Sequence, residues 1–180
     1  AAPDFKIMWD NAYCVHHLTD THDVILNMLE ECRKAGHEDR ALMFCSLSKV
    51  TFPGAGVAAM AASRRNIDYI LKNMFPMIIS FDKLNQVRHI RFLKDMDGLA
   101  AHMEKHRALL EPKFRAVLAI LDEGLSGCGS IARWTKPNGG YFLSLYTLGG
   151  CAKRTVQLCR EAGVVLTDAG AAYPYGVDPQ

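Results

Sequence analysis

Ala41-Leu42-Met43-Phe44-Cys45 runs straight into Ser46-Leu47-Ser48-Lys49, and this stretch decides the fold. Five apolar residues in a row, with no polar alternation, read as a strand buried on both faces, as in a parallel sheet. Hydroxyl side chains and a lysine directly after such a strand put reactive groups at its carboxyl end, where open α/β sheets collect ligands. Upstream, Phe5-Lys6-Ile7-Met8-Trp9 reads as another strand, ending at Asp10. Between the two, Val24, Leu26, Met28, Leu29 and Cys32 recur at helical spacing and Gly36 supplies a stop, so a helix is expected over 24–35. Strand, helix, strand is α/β organisation, with Asp10 and residues 46–49 both at carboxyl ends.

Working outward, Pro53, Gly54 and Gly56 make a turn, and residues 57–62 read as a further apolar strand. Residues 65–125 read as helical, with breaks near Phe75-Pro76 and Asp97-Gly98. The last of these helices spans 99–125, with Pro112 as an expected kink. Residues 131–135 and 141–146 flank Lys136-Pro137-Asn138-Gly139-Gly140, the signature of a hairpin. A helix over 152–163 and a short strand over 164–167 follow. The expected architecture is α/β. Residues 1–98 form part of a large domain with a mostly parallel sheet, and 99–180 form a long linking helix and part of a small α+β domain. The first strand begins almost at residue 1 and the turn-rich residues 173–180 close nothing, so an incomplete sheet is expected.

Composition narrows the function. Of 180 residues, 49% are hydrophobic and 22% charged, enough apolar material for a real core. The net charge of +2 comes without a long basic run, which argues against nucleic acid and acidic membrane surfaces as partners. Apolar stretches fall far short of the roughly 20 residues a membrane helix needs, and no signal-peptide pattern opens the chain. The six cysteines, Cys14, Cys32, Cys45, Cys128, Cys151 and Cys159, form no Cys-x-x-Cys pair. They read as buried reduced thiols of a cytoplasmic protein, with neither a metal site nor a disulfide framework.

The chemistry lies in two short segments. In Asp10-Asn11-Ala12-Tyr13 a carboxylate and a phenol stand three residues apart; in Ser46-Leu47-Ser48-Lys49 an amine follows two hydroxyls. Lys49 can condense with an aldehyde as a Schiff base and afterwards move a proton. Asp10 can keep a pyridine nitrogen protonated by placing an opposite charge beside it. Tyr13 can donate a hydrogen bond to a phenolic oxygen, Ala12 leaves room for a flat ring, and Ser46 and Ser48 can donate to phosphate. Together they describe a site for pyridoxal 5'-phosphate (PLP), whose electron-sink chemistry the protein tunes. Plainer readings of the same residues are a turn or cap for Asp10 and half-buried packing for Tyr13. His16 and His17 read as a loop pair near the cofactor or the surface. His102 and His106, one helical turn apart, read as a solvated face, as do Lys113 and Arg115. Met74, Met77, Met96 and Met103 read as core or interface filler.

Asp10-Asn11-Ala12-Tyr13 and Ser46-Leu47-Ser48-Lys49 resemble the matching motifs of fold-type I PLP-dependent aminotransferases, the aspartate aminotransferase superfamily. Four further runs, at 48–57, 82–89, 137–142 and 167–176, resemble a bacterial aspartate-aminotransferase-like subgroup. The resemblance covers essentially the whole chain. It implies Lys49 for the Schiff base, Asp10 for the pyridine nitrogen, Tyr13 for the phenolic oxygen, and Ser46 with Ser48 for phosphate, with no metal. It also implies amino-acid and 2-oxo-acid substrates and a homodimeric parent of which this chain is a fragment, inactive in isolation. The same site chemistry runs elimination and decarboxylation, and a silent ligand-binding domain is a third reading. One departure stands out: many members carry a phosphate-gripping arginine shortly after the lysine, where this chain has Gly56. Arg64 and Arg65 are the candidate substitutes. The Gly/Ser-rich phosphate cradle, the Asn-Pro-x-Gly asparagine and the carboxylate-clamping arginine of the family have no counterparts in these residues.

Overall fold

The computed structural model describes residues 2–176. It divides into two compact units, Ala1–Glu111 with Asn138–Tyr141, and Pro112–Pro137 with Phe142–Gln180. Residues 177–180, the end of the turn-rich stretch expected at 173–180, lie outside the described residues.

The first unit is built on three strands. β1 (Ile7–Asp10) lies parallel to β2 (Ala41–Ser46), with Ile7 opposite Ala41 and Asp10 opposite Phe44. β3 (Ala58–Ala62) runs antiparallel to β2, pairing Ala58 with Ser46 and Ala62 with Leu42. The sheet is therefore mixed, one parallel and one antiparallel pairing, rather than mostly parallel. The reason is local: the segment 47–57 contains no crossover helix, and without one the chain can only return beside β2 in the opposite direction.

α1 (Met28–Lys34) packs against β2 and starts four residues later than its apolar spacing suggests. The Asn27 side chain accepts from the Glu30 amide and fixes the start, which leaves Val24 94% exposed outside the helix. α2 (Arg64–Met74) and α3 (Lys83–Leu93) are capped in the same way by Ser63 and Asp82. The break before the next helix falls at Lys94-Asp95, not at Asp97-Gly98. Lys94 takes a left-handed φ of 67°, and the Asp95 carboxylate accepts from the Gly98 amide. Gly98 sits inside α4 (Met96–Leu125) because any Cβ there would collide with the Leu93 carbonyl oxygen. Pro112 lies inside the same helix.

Burial in the first unit is concentrated around one turn. Val50, 2% exposed, is its largest fully buried side chain, and the buried polar residues of the chain, His16, Asn85 and His89, surround the same loop. Met103 is buried, but Met77 and Met96 are 80% and 72% exposed and do not serve as core filler in this chain. Cys32 is buried, whereas Cys45 and Cys151 are exposed; all six thiols are free.

In the second unit β4 (Ala132–Trp134) pairs antiparallel with β5 (Leu145–Thr147), and α5 (Ala152–Glu161) packs on β5. Among the described residues 164–167 form no strand, and Val165 is 80% exposed. Among the described residues no helix is long and apolar enough to cross a membrane.

Candidate active site

Parallel pairing brings the carboxyl ends of β1 and β2 side by side, and the Asn11 amide extends the ladder by donating to the Phe44 carbonyl at 2.8 Å. The chain then turns at each end. After β1, Asp10 Oδ1 accepts from the Ala12 amide at 3.0 Å, so the carboxylate closes its own turn while remaining exposed. After β2, Ser46 Oγ accepts from the Ser48 amide at 3.0 Å and donates to Ser48 Oγ at 2.8 Å. Gly56 fits closely behind this turn: a Cβ there would stand 3.2 Å from both the Ser48 amide nitrogen and Oγ.

Asp10 and Tyr13 share a cavity of about 350 Å³ with Trp9, His16, Asn138 and Gly139. Tyr13 meets the rings of His16 and Tyr141 edge-on, each at 5.4 Å between centroids. Two buried polar atoms on the cavity wall or beside it, Trp9 Nε1 and His16 Nδ1, have no hydrogen-bond partner among the described residues. The segment 138–140 closes one side by pairing with residues 16–18. The Gly140 amide donates to the His16 carbonyl at 2.7 Å, and the Leu18 amide donates to that of Asn138 at 2.8 Å. A Cβ on Gly139 would lie 2.6 Å from the His16 carbonyl oxygen, so glycine is required there. This stretch, read from sequence as a hairpin tip, thus belongs to the wall of the cavity.

Lys49 is exposed at its side chain and held by its main chain. Its carbonyl lies 3.1 Å from His16 Nε2 and 3.4 Å from the Tyr141 hydroxyl. The next carbonyl, that of Val50, lies 2.8 Å from His102 Nε2. Thr51 Oγ1 is 2.7 Å from His89 Nε2, and Asn85 Nδ2 donates to the Gly56 carbonyl at 3.0 Å. The structure therefore brings Asp10 together with Tyr13, and Ser46 together with Ser48. It tethers the Lys49 backbone to two rings that touch Tyr13, but the side chains of Lys49, Ser46 and Ser48 do not line the cavity that holds Asp10.

Two sequence expectations change here. His102 and His106 are half-buried against the Lys49 turn rather than solvated; their spacing of one helical turn aims both rings at the same loop. Arg64 and Arg65 are not available to the Ser46 turn. They follow β3 at the end paired with Leu42, roughly 13 Å along the strand from Ser46, and they bind Asp68 and Asp39. Burial, then His102 and His16, pushes the His106 imidazole below its ordinary range. Burial, then Tyr13, raises the Tyr141 phenol. Sequence reading gave no site role to Tyr141, His89 or Asn85, although all three lie in the runs 82–89 and 137–142 that carry the family resemblance.

Comparison with known proteins adds the context. A family model described as aspartate amino-transferase matches residues 1–180. A Mycolicibacterium smegmatis protein provisionally named an aminotransferase is 49% identical over the whole chain, which covers 42% of it. A Corynebacterium glutamicum aspartate aminotransferase is 43% identical, again over the whole chain and 41% of its own length. The crystal structure of an aspartate transaminase from C. glutamicum superimposes with a TM-score of 0.91 at 44% identity, over 99% of this chain and 42% of that one. The chain thus spans about two fifths of the length of the relatives it matches.

Proposed function

Since the chain belongs to the aspartate amino-transferase family, we propose that the protein containing it is a PLP-dependent aminotransferase. It exchanges an amino group between an amino acid, aspartate among the candidates, and a 2-oxo acid. The observation that carries this reading is the shared carboxyl edge of β1 and β2, with Asp10 at one strand end and residues 46–49 at the other. The residues present fit the cofactor. Asp10 and Tyr13 offer a carboxylate and a phenol in one cavity of suitable size, and the partnerless Trp9 Nε1 there is a donor waiting for an acceptor.

When bound, PLP supplies an electron sink for the pair left behind when a substrate Cα–H bond breaks. The protein's part falls to its own residues. The Lys49 amine would hold the cofactor and, once free of it, would act as the base and acid that moves the α-proton. The Asp10 carboxylate would favour the protonated form of the ring nitrogen. The Tyr13 hydroxyl would donate to the ring's phenolic oxygen. Ser46 and Ser48, now bonded to each other, would donate to phosphate. On this reading residues 1–98 belong to a large cofactor domain, and residues 99–180 supply a linking helix and part of a small domain. The parent is a cytoplasmic homodimer, and the 180-residue chain alone is inactive.

The test is product formation by the full-length protein from aspartate and 2-oxoglutarate. Stoichiometric glutamate, lost in Lys49→Ala, supports transamination. Alanine or β-alanine with carbon dioxide, or fumarate with ammonia, and no glutamate would replace it with decarboxylation or elimination.

A further inference from the structure

Three polar side chains from three distant stretches of chain converge on the backbone of the Lys49 turn, and a fourth links two of them. The turn itself is tight, with the amides of Val50 and Thr51 both donating to the Leu47 carbonyl at 3.0 and 2.9 Å. Its next two carbonyls point away from that internal bonding and are met by side chains. His16 Nε2 and the Tyr141 hydroxyl reach the Lys49 oxygen, and His102 Nε2 reaches the Val50 oxygen. His106 closes the ring, with Nε2 3.2 Å from His102 Nε2 and Nδ1 3.3 Å from the Tyr141 hydroxyl.

The chemistry of these groups assigns every proton. A carbonyl only accepts, so His16 and His102 each carry hydrogen on Nε2. His106 Nε2 faces the His102 N–H and must therefore be the bare acceptor, which leaves its hydrogen on Nδ1. That Nδ1–H donates to the Tyr141 oxygen, and the Tyr141 O–H donates onward to the Lys49 carbonyl. In this arrangement the Tyr141 phenol keeps its hydrogen and His106 keeps one bare ring nitrogen. The downward push on His106 and the upward push on Tyr141 run in the direction this requires. Tyr141 is itself fixed by the pairing of 138–140 with 16–18, and His16 is 3% exposed, so neither donor can swing away freely.

We propose that His102 and Tyr141, supported by His16 and His106, are positioning residues that fix the Lys49 backbone and so set the direction from which its amine approaches the cofactor. The proposal rests on Lys49 being the cofactor lysine. Its logic is that the amine sits at the end of a side chain with four rotatable bonds, so orientation is controllable only at the root. A misplacement of about 1 Å at a reacting centre is enough for roughly a hundredfold loss of rate. None of the four groups need touch the cofactor.

The experiment uses the full-length protein with Tyr141→Phe, His102→Leu and His102→Gln, the last retaining an N–H close to the position of His102 Nε2. Two readouts are taken: amide hydrogen exchange of the peptide covering residues 47–51 without cofactor, and steady-state kinetics with it. The expected result for Tyr141→Phe and His102→Leu is about tenfold faster exchange confined to 47–51, with kcat down about tenfold or more and KM within about twofold. His102→Gln restores both. Unchanged exchange at 47–51 would overturn the proposal. Faster exchange spread across the chain and unrescued by His102→Gln would do so as well, by reducing these residues to general stability. If His102→Leu does not fold, Tyr141→Phe, which keeps its ring packing, decides the question alone. A wild type that never binds cofactor through Lys49 would instead refute the underlying reading of the site, whatever the exchange shows.

Discussion

Replacing Thr51 by valine removes one oxygen and almost no volume, so it takes away the hydroxyl's bond to His89 together with its longer, 3.2 Å contact to the Leu47 carbonyl, and a double-variant cycle with His89 separates the two. His89 is 6% exposed, and its Nδ1 lies 2.8 Å from the Asn85 carbonyl, which can only accept. The hydrogen of a neutral His89 is therefore on Nδ1, and Nε2 is a bare acceptor that takes the Thr51 hydroxyl at 2.7 Å. In Thr51→Val that nitrogen is left buried with no donor. The mutual bond contributes about 1 kcal/mol net, and an orphaned buried acceptor costs about 1–3 kcal/mol, so the expected destabilisation is about 1–3 kcal/mol. Urea unfolding of wild type, Thr51→Val, His89→Phe and the double variant gives the number as a cycle. The coupling between the two sites should be about 1–2 kcal/mol, because removing both partners relieves the orphan left by either alone. A Thr51→Val effect below about 0.5 kcal/mol, with no coupling, would refute the claim that His89 anchors the turn through this bond.

Other consequences follow from individual positions. Val50→Ala opens a space at a fully buried side chain and should lower unfolding stability by about 1.5–3 kcal/mol, measured by the same titration. Gly98→Ala drives a methyl into the Leu93 carbonyl and should destabilise by about 2 kcal/mol or more, whereas Gly149→Ala, which meets open space, should stay within about 0.5 kcal/mol. Acid should loosen the Lys49 turn through His106. With its pKa held down in the fold, the unfolded chain binds the proton more tightly. The contribution is therefore whole above the ordinary histidine value of about 6.5 and falls away as pH drops below it towards the depressed folded value. His106→Gln should flatten that part of the stability–pH curve; a slope unchanged by the substitution would contradict the assignment.

Much of the first unit was legible because its signals are local. A continuous apolar run at 41–45 and a hydroxyl-lysine sequence after it are enough to locate a strand end and its turn, and β2 ends where they indicate. Caps and partners were harder. The apolar spacing at 24–35 is real, but Asn27 sets the helix start by a side-chain bond that competes with the periodicity. The direction of β3 depends on what the connecting segment lacks rather than on the strand itself. At the site, Asp10, Tyr13 and the 46–49 segment could be named from spacing because residues within one turn of chain are necessarily near each other. The ring of His16, His102, His106 and Tyr141 could not, since its members are up to 125 residues apart in sequence and meet only through the fold. A histidine pair one turn apart on a helix looks the same in sequence whether it faces water or a loop. Likewise Asn138-Gly139-Gly140 lies in the connection between the antiparallel β4 and β5, as its turn composition indicates, but that composition does not reveal that it also lies against residues 16–18.

The central claim is that one lysine, in the turn after β2, carries the cofactor. Full-length protein incubated with PLP, reduced with borohydride and digested for peptide mass mapping tests it directly. The account predicts a single phosphopyridoxyl-modified peptide containing Lys49, and none in Lys49→Ala. Stoichiometric labelling of any other lysine, or no label at all in wild type, would contradict it.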